Sequence, residues 1–374
     1  MRNLSPLFFR GKNNFLKNIS LSEEQNQLMR DAVSKIKISL NEAISKEYGM
    51  HPRFMTQGSA GYKTQNTPCY SSQEVDYDIG CYLPFSEIQD TGKPKTAANI
   101  YYSTVDNALQ KLVENYQWKG INTKKQTCSR VCINSQLHID IPLYSVPDDE
   151  FSSIHERTTE NFNKSFCAAD SKFDETESWD DFNFDKVLLG RRNGEWQESD
   201  PRKINLYFAD AFEKKGEQLR RLCRYLKAWR DFKWENGGPK SIYLMCLVDD
   251  LFQYENNLGD DIALLDLISK IPNRLESGEP VKNKAENETL PIDESDCKLL
   301  KNYAKAFAED LSSAITNETI SDEEACKLIR KHLGTRFPLE SPLIHERERL
   351  REYVKSTPIN ETSTSRPLTR TRAG

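Results

Sequence analysis

The spacing of apolar residues divides the chain into a mixed first half and a helical second half. Residues 20–48 repeat apolar positions every three or four residues, and Ser22 with Gln25 resembles a capping box, so we predict a helix there. The same spacing predicts a helix over 96–116. Residues 73–84, QEVDYDIGCYLP, instead have the alternating pattern of a strand. The first half therefore combines α and β structure.

The later segments complete this picture. The runs CSRVCI and LHIDIPLYSVP predict two more strands, and residues 150 to 200 are loop-rich and acidic. Beyond residue 205 helical spacing recurs in LRRLCRYLKAWRDFKW, PKSIYLMCLVDDLFQY, DIALLDLISKI, DCKLLKNYAKAFAEDLSSAI and SDEEACKLIRKHLG. We therefore predict an α+β protein, in which a lobe with a mixed β-sheet precedes a mainly helical lobe and the active site lies in the cleft between them.

The same patterns suggest domain boundaries. We predict a first lobe over 1–205 with an N-terminal helix, a helical lobe over 206–354, and a disordered tail over 355–374. The tail is rich in Ser, Thr, Arg and Pro, which bury little apolar surface. Residues 276–296 are also poor in apolar side chains, and we predict an exposed loop there.

Composition narrows the classes of function. The 374 residues carry 52 Lys and Arg against 57 Asp and Glu, a net charge of -5, which argues against a chain whose whole surface binds nucleic acid. No apolar run approaches the roughly 18 residues of a membrane span, and the start does not read as a signal peptide. We therefore expect a cytoplasmic protein. Its nine cysteines include no CxxC pair, so we expect free thiols rather than a zinc site.

The candidate chemistry begins with Asp76 and Asp78, which lie one residue apart in the predicted strand. Alternate residues of a strand share a face, so both carboxylates should point the same way. Like charges held that close raise each other's cost of ionisation. A divalent cation between them makes the pair favourable, because Mg²⁺ prefers carboxylate oxygens and phosphoryl transfer depends on such charge neutralisation. We expect Mg²⁺, with Mn²⁺ as the alternative.

Two further motifs extend this site. Asp140 is flanked by Ile139 and Ile141, where an unpaired carboxylate is costly. It is either a third metal ligand, a salt-bridge partner of a nearby Lys or Arg, or a residue on a solvated edge face. Upstream, Gly58 and Ser59 form either an ordinary turn or a close backbone approach to a phosphate.

The order of these motifs resembles the nucleotidyltransferase superfamily that includes DNA polymerase β, in which a Gly-Ser turn precedes an Asp-x-Asp strand and a third Asp follows. QGS-x-x-YKT, DYDIGCYLP, HIDIPLY, WQESDPRKINLYF, RRLCRYLKAWRDFKW and GGPKSIYL together resemble the bacterial CD-NTase family, relatives of animal cyclic GMP-AMP synthase, and within it the Vibrio-type branch. The resemblance covers roughly residues 50–245 and implies a polymerase β-like nucleotidyltransferase lobe.

The resemblance also implies roles for individual residues. Asp76, Asp78 and Asp140 would form the metal-binding catalytic triad. The nucleotide-binding residues would be Gln57, Gly58 and Ser59 on the donor triphosphate, Tyr62 stacked on a base, Lys227 and Ser241 on the phosphates, and Arg130 on the acceptor nucleotide.

Several of these residues also fit an ordinary structural role. Lys227 is compatible with a solvated helix face, Ser241 with a helix N-cap, and Tyr62 with packing beneath the sheet. At the acceptor position, Ser129 competes with Arg130. The cations of the helix LRRLCRYLKAWRDFKW would face either nucleic acid or an anionic cleft, and we favour the cleft.

The resemblance implies Mg²⁺-dependent synthesis of a cyclic oligonucleotide second messenger, with cyclic GMP-AMP from ATP and GTP as the preferred product and pyrophosphate released. It also implies anti-phage (CBASS) signalling, with a downstream effector that senses the product. Two rivals are a template-independent RNA nucleotidyltransferase, which needs a basic channel for long nucleic acid, and a catalytically silent nucleotide-binding scaffold.

The last residues, RTRAG, suggest a second interaction. The tail is either an inert end or resembles those CD-NTases that are encoded beside ubiquitin-transfer-like partners, in which the last residue is joined to another protein. Under the second interpretation Gly374 would be conjugated.

Overall fold

The structure, a computed structural model, describes residues 1–84, 97–147, 151, 187–253 and 258–339. Its helices are α1 (Ser5–Phe8), α2 (Phe15–Asn18), α3 (Glu23–Tyr48), α4 (Gly58–Gly61), α5 (Ala98–Tyr116), α6 (Pro201–Lys215), α7 (Glu217–Lys233), α8 (Ser241–Leu251), α9 (Asp260–Glu276), α10 (Glu294–Thr316) and α11 (Asp322–Leu333), followed by a 3₁₀ turn at Gly334–Arg336. Its strands are β1 (Arg53–Gln57), β2 (Val75–Pro84), β3 (Gly120–Asn122), β4 (Ser129–Cys132), β5 (Leu137–Ile141), β6 (Leu143–Val146), β7 (Leu188–Gly190), β8 (Trp196–Glu198), β9 (Lys282–Asn283) and β10 (Glu288–Thr289).

Strands β1 to β8 form one mixed sheet, as predicted. β2 pairs antiparallel with β1 and parallel with both β5 and β6. β5 and β6 are two halves of one run divided by Pro142, and they keep one register on β2, with Asp78 opposite Asp140 and Cys81 opposite Leu143. The remaining partners differ between the halves, because β4 pairs with β5 whereas β7 pairs with β6.

The two faces of β2 have different surroundings. Val75, Ile79 and Cys81 belong to the core that α3 and α5 form against the sheet. The alternating residues Asp76 and Asp78 point to the opposite face, which leaves their carboxylates outside that core. The predicted shared face of the two aspartates is confirmed.

The helix boundaries follow local signals. α3 begins after Ser22, whose side chain accepts from the Gln25 backbone N–H while the Gln25 side chain accepts from the Ser22 N–H, so the predicted capping box is confirmed. α3 ends at Gly49 with φ 69°, a left-handed conformation that glycine adopts without steric cost. α5 lies within the helix predicted over 96–116.

The five predicted C-terminal helices are confirmed as α7 to α11, and they share one hydrophobic core. The N-terminal segment packs into the same core, because Leu4, Leu7, Phe8, Phe15 and Ile19 are fully buried there. This segment therefore contacts the helical lobe. The predicted lobe boundaries stay predictions.

Four other findings bear on the expectations. β1 lies in a stretch for which no strand was predicted, and the predicted exposed loop 276–296 contains the small β9–β10 hairpin. All eight cysteines in the described ranges are free thiols, as expected. None of the helices in those ranges has the length and apolar character needed to cross a bilayer. Most of the acidic stretch 150–200 and the whole tail 355–374 lie outside the described residues.

Candidate active site

A row of polar residues crosses four adjacent strands of the sheet. Gln57 on β1 lies opposite Asp78 on β2, Asp78 opposite Asp140 on β5, and Asp140 opposite Arg130 on β4. Directly paired residues share a face of a sheet, so this row lies on the face away from α3 and α5. Asp76 precedes Asp78 by two positions and shares that face. The sheet register thus brings the three predicted carboxylates together.

Two cations neutralise Asp140, which is 5% exposed. The Arg130 guanidinium donates to both carboxylate oxygens at 2.6 and 2.8 Å, and the Lys125 ammonium donates at 2.7 Å. Burial opposes ionisation, but these donors hold the pKa of Asp140 below its usual range. Of the alternatives for Asp140, the salt bridge is therefore observed, and it lies within the carboxylate cluster.

Asp78 has the opposite electrostatic balance. Burial and the charges of Asp140 and Asp76 raise the pKa of Asp78 to about 7. In Asp76, burial opposes ionisation too, but the adjacent His138 and Arg130 lower the pKa. Asp78 is therefore the carboxylate that gains most from a nearby positive charge.

The cluster fits a divalent cation. Ligand atoms of Asp76, His138 and Asp140 lie within 4.8 Å of one another, and Asp78 is the register neighbour of Asp140. Carboxylate oxygens dominate this set, which suits a hard cation. Sequence analysis missed His138, although its position two residues before Asp140 on a strand places both on one face.

Gly58 lies directly against the cluster. Its φ is 61°, and a Cβ built on it would lie 2.2 Å from Oδ2 of Asp78. Only glycine therefore lets the chain pass this carboxylate in its present position. Ser59 follows at the cleft wall. The predicted Gly-Ser turn and the Asp-x-Asp strand thus meet in space.

A cleft of about 570 Å³ opens over these residues, between the sheet and helices α7 and α8. Seven of the ten predicted site residues line it: Gly58, Ser59, Tyr62, Asp76, Asp78, Lys227 and Ser241. The described residues place the other three differently. Asp140 and Arg130 pair with each other, and Gln57 is buried with its amide donating to the Tyr144 hydroxyl at 3.2 Å.

Two cleft residues lack the ordinary structural roles that their sequence context allowed. Lys227 is 6% exposed and donates to the Thr64 carbonyl at 2.7 Å, so it does not lie on a solvated face. Burial lowers the pKa of its ammonium group to about 8. Ser241 is the first residue of α8 rather than its N-cap, which is Lys240, and its hydroxyl accepts from Arg230 at 3.0 Å. Their contacts with phosphate stay predictions.

The structure also shows the surroundings of Tyr62 and Arg130. Tyr62 packs on the Phe208 ring, with 5.5 Å between centroids, and also faces the cleft. Ser129 donates to Asp106 at 2.6 Å, on the side away from the carboxylate cluster. Of the two candidates at the acceptor position, Arg130 is therefore the one beside the cluster.

The cations of α7 mostly have partners within the protein. Arg221 pairs with Asp260 at 2.6 Å and Arg224 donates to Asn66 at 3.0 Å. Lys227 and Arg230 line the cleft. Only these two cations of the helix lie at the cleft within the described residues, and the prediction that its basic side serves an anionic cleft stays a prediction.

Comparison with known proteins identifies the family. The profile described as cyclic GMP-AMP synthase DncV-like, nucleotidyltransferase domain, matches residues 52–144, and the profile described as cyclic GMP-AMP synthase, C-terminal domain, matches residues 216–346. A cyclic GMP-AMP synthase of Escherichia coli is 31% identical over 300 residues, covering 76% of this chain and 68% of that protein. The chain belongs to the DncV-like cyclic GMP-AMP synthase family. The resemblance inferred from the motifs is confirmed.

Other members of the family support the fold. A cyclic GMP-AMP synthase of Vibrio cholerae is 34% identical over 267 residues, 67% of this chain but only 58% of that protein. The chain thus aligns with little more than half of this relative's length. The solved Vibrio cholerae DncV in complex with the linear intermediate 5′-pppA(3′,5′)pG has a TM-score of 0.73 at 24% identity, covering 91% of this chain and 98% of that chain. The predicted α+β nucleotidyltransferase fold is confirmed.

Proposed function

We propose that this family member synthesises a cyclic dinucleotide, cyclic GMP-AMP, from ATP and GTP and releases pyrophosphate. The main support is that Gly58 and Asp78 line a cleft of about 570 Å³ and that Asp140 is the register partner of Asp78. The family relatives are named for this product. The cleft is large enough for nucleotide ligands, which occupy sites of roughly 300–1,000 Å³.

In this proposal Asp76, Asp78 and Asp140 hold Mg²⁺, with Mn²⁺ as the alternative. When bound, the cation supplies positive charge that offsets the charge on the transferred phosphoryl group. The donor set fits a hard cation because it is rich in carboxylates. Asp78, with a pKa of about 7, changes protonation near neutral pH and therefore gains most from a nearby positive charge. A cation at this position would keep Asp78 ionised.

The surrounding residues position the nucleotides. The donor triphosphate would contact Gln57, Gly58 and Ser59, with Lys227 and Ser241 on the phosphates, Tyr62 on a base and Arg130 on the acceptor. Asp140 would orient the acceptor 3′-hydroxyl and take its proton as the oxygen attacks the α-phosphorus and forms the new P–O bond. The bond to the pyrophosphate oxygen breaks, and pyrophosphate leaves with that electron pair. A second transfer closes the ring without a covalent enzyme intermediate.

The test is product analysis with the purified protein, the four ribonucleoside triphosphates and Mg²⁺. We expect a phosphatase-resistant cyclic dinucleotide by mass spectrometry, and its loss in Asp76→Ala and Asp78→Ala, with unchanged circular dichroism. Asp210→Asn, at an exposed residue paired with Lys214, is the matched control and should keep activity. A double alanine variant that still makes product contradicts the metal assignment.

The rival functions give different products. Chains of many nucleotides would indicate an RNA nucleotidyltransferase, and nucleotide binding without product would indicate a silent scaffold. The ion pair of Arg221 with Asp260 and the hydrogen bond of Arg224 to Asn66 leave less cationic surface on α7 for a long nucleic acid, and this favours the dinucleotide synthase.

We extend the proposal to the cellular setting. The product would be sensed by a downstream effector in anti-phage (CBASS) signalling in the cytoplasm, and a ubiquitin-transfer-like partner would conjugate Gly374, which lies outside the described residues. Support comes from the tail sequence and the family resemblance. Mass spectrometry of the protein incubated with such a partner tests it, because conjugation that survives deletion of Gly374 rules out this site.

A further inference from the structure

A buried histidine connects two carboxylates at the edge of the cluster. His138 on β5 is the register partner of Asp76 on β2 and is 2% exposed. Its Nδ1 lies 2.9 Å from the Glu74 carboxylate, and its Nε2 contacts Asp76. Glu74 directly precedes β2. The imidazole therefore lies between the carboxylates of Glu74 and Asp76, along one edge of the candidate metal site.

The side chain that most needs support in this site is Asp76. The Asp76 side chain is 56% exposed and lies in the cleft, whereas the imidazole of His138 beside it is 2% exposed on β5. An exposed carboxylate has several rotamers, and fixing one of them costs conformational entropy when a cation binds. A rigid neighbour that restricts those rotamers beforehand lowers that cost. Arg130 also lies near both carboxylates, 3.3 Å from Asp76 and 3.7 Å from Glu74.

The geometry also argues against His138 as a metal ligand. Its Nδ1 lies against Glu74 and its Nε2 against Asp76, so a cation bound to either nitrogen would have to displace one of these contacts. Imidazole nitrogen suits softer cations, whereas Mg²⁺ takes oxygen ligands. Residues that contact ligands rather than the metal typically change metal affinity by about 10- to 100-fold when they are replaced.

We infer that His138 is a positioning residue of the metal site, which bridges Glu74 and Asp76 and holds the Asp76 carboxylate ready for a divalent cation without binding it. The inference rests on the metal site of the proposed function but not on the identity of the product. It assigns Glu74 the task of orienting the imidazole ring.

The experiment measures Mn²⁺ binding to the full chain without nucleotide, by calorimetry and electron paramagnetic resonance. We expect His138→Leu to weaken Mn²⁺ binding about 10- to 100-fold. His138→Gln, which keeps a side-chain nitrogen near Asp76, should weaken it less, and Glu74→Gln should also weaken it. His332→Leu is the matched control, because His332 is a 4% exposed histidine in the helical lobe that pairs with Asp310. It should leave Mn²⁺ affinity unchanged, and thermal unfolding checks that each variant folds.

Pulsed electron resonance separates positioning from direct ligation. We expect no nitrogen directly coupled to Mn²⁺ in the wild-type protein. A directly bound ¹⁴N signal, His138→Leu affinity within threefold of wild type, or no Mn²⁺ binding by the wild type would each overturn the inference. Wild-type Mn²⁺ binding that depends on His138, together with no cyclic dinucleotide in the product assay, would instead reject the proposed function and leave the positioning role standing.

Discussion

Replacing Gly58 with alanine tests the contact between the Gly-Ser turn and the carboxylate cluster. Two costs arise. The backbone of Gly58 has φ 61°, where an alanine costs roughly 1–2 kcal/mol. In addition, the new Cβ would lie 2.2 Å from Oδ2 of Asp78, against a comfortable carbon–oxygen contact of about 3.3 Å. The carboxylate must therefore move by roughly 1 Å.

The movement of Asp78 sets the expected loss of activity. Misplacing a reacting group by about 1 Å costs on the order of 100-fold in rate. We therefore expect Gly58→Ala to lose at least about 100-fold in cyclic dinucleotide formation at saturating Mg²⁺ and triphosphates. The free energy of unfolding should fall by only about 1–2 kcal/mol, measured by urea denaturation.

The chain provides a control for the backbone cost alone. Gly49 has φ 69°, but a Cβ there meets no atom within 4 Å. Gly49→Ala should therefore lose a similar free energy of unfolding and keep full synthesis. The reasoning fails if Gly58→Ala retains a rate within about threefold of Gly49→Ala, because Asp78 would then tolerate the added methyl group.

Two further predictions concern pH. At Mg²⁺ concentrations well below saturation, the kcat/KM for triphosphate should rise up to a pH of about 7 as Asp78 ionises and fall above about 8 as Lys227 loses its proton, so a flat profile from pH 6 to 9.5 contradicts both roles. Without divalent cations, Asp78→Asn should stabilise the protein at pH 8. The pKa of Asp78 is about 7 in the folded state, against an ordinary 3.8. The free energy of unfolding that is present at low pH is therefore lost as the pH rises through 7, by up to roughly 4 kcal/mol. Urea denaturation in EDTA should show this gain shrinking toward pH 4.

The predicted elements that hold in the structure are those with strong local patterns. α3 carries a long apolar repeat and a capping box, and its start is confirmed to within a few residues. The alternation in 73–84 specified which face Asp76 and Asp78 share. By contrast, β1 has five residues next to a proline and a glycine, and its strand conformation depends on pairing with β2. Local sequence contains little of that information.

The candidate site was also predictable from the sequence only in part. The motifs predicted Gly58 and Asp78 separately, but their contact depends on how β1 and β2 pair. The helical spacing around Lys227 did not reveal a buried ammonium bonded to Thr64, because the partner is 163 positions away. His138 was overlooked because a lone histidine in an apolar strand has no recognisable motif. The pairing register of β2 and β5, rather than composition, places Asp76 beside His138.

The burial of the N-terminal segment has a consequence for biosynthesis. Residues 4–19 are translated well before the residues they contact, since the Tyr225 hydroxyl donates to the Phe8 carbonyl 217 positions away, and the Leu4 N–H donates to Asp261 across 257 positions. The apolar groups of this segment must therefore remain unburied while most of the chain is translated. Contacts of such sequence separation form slowly and leave apolar surface open to aggregation meanwhile. The packing of residues 4–19 can thus be completed only after α7 and α9 have been synthesised.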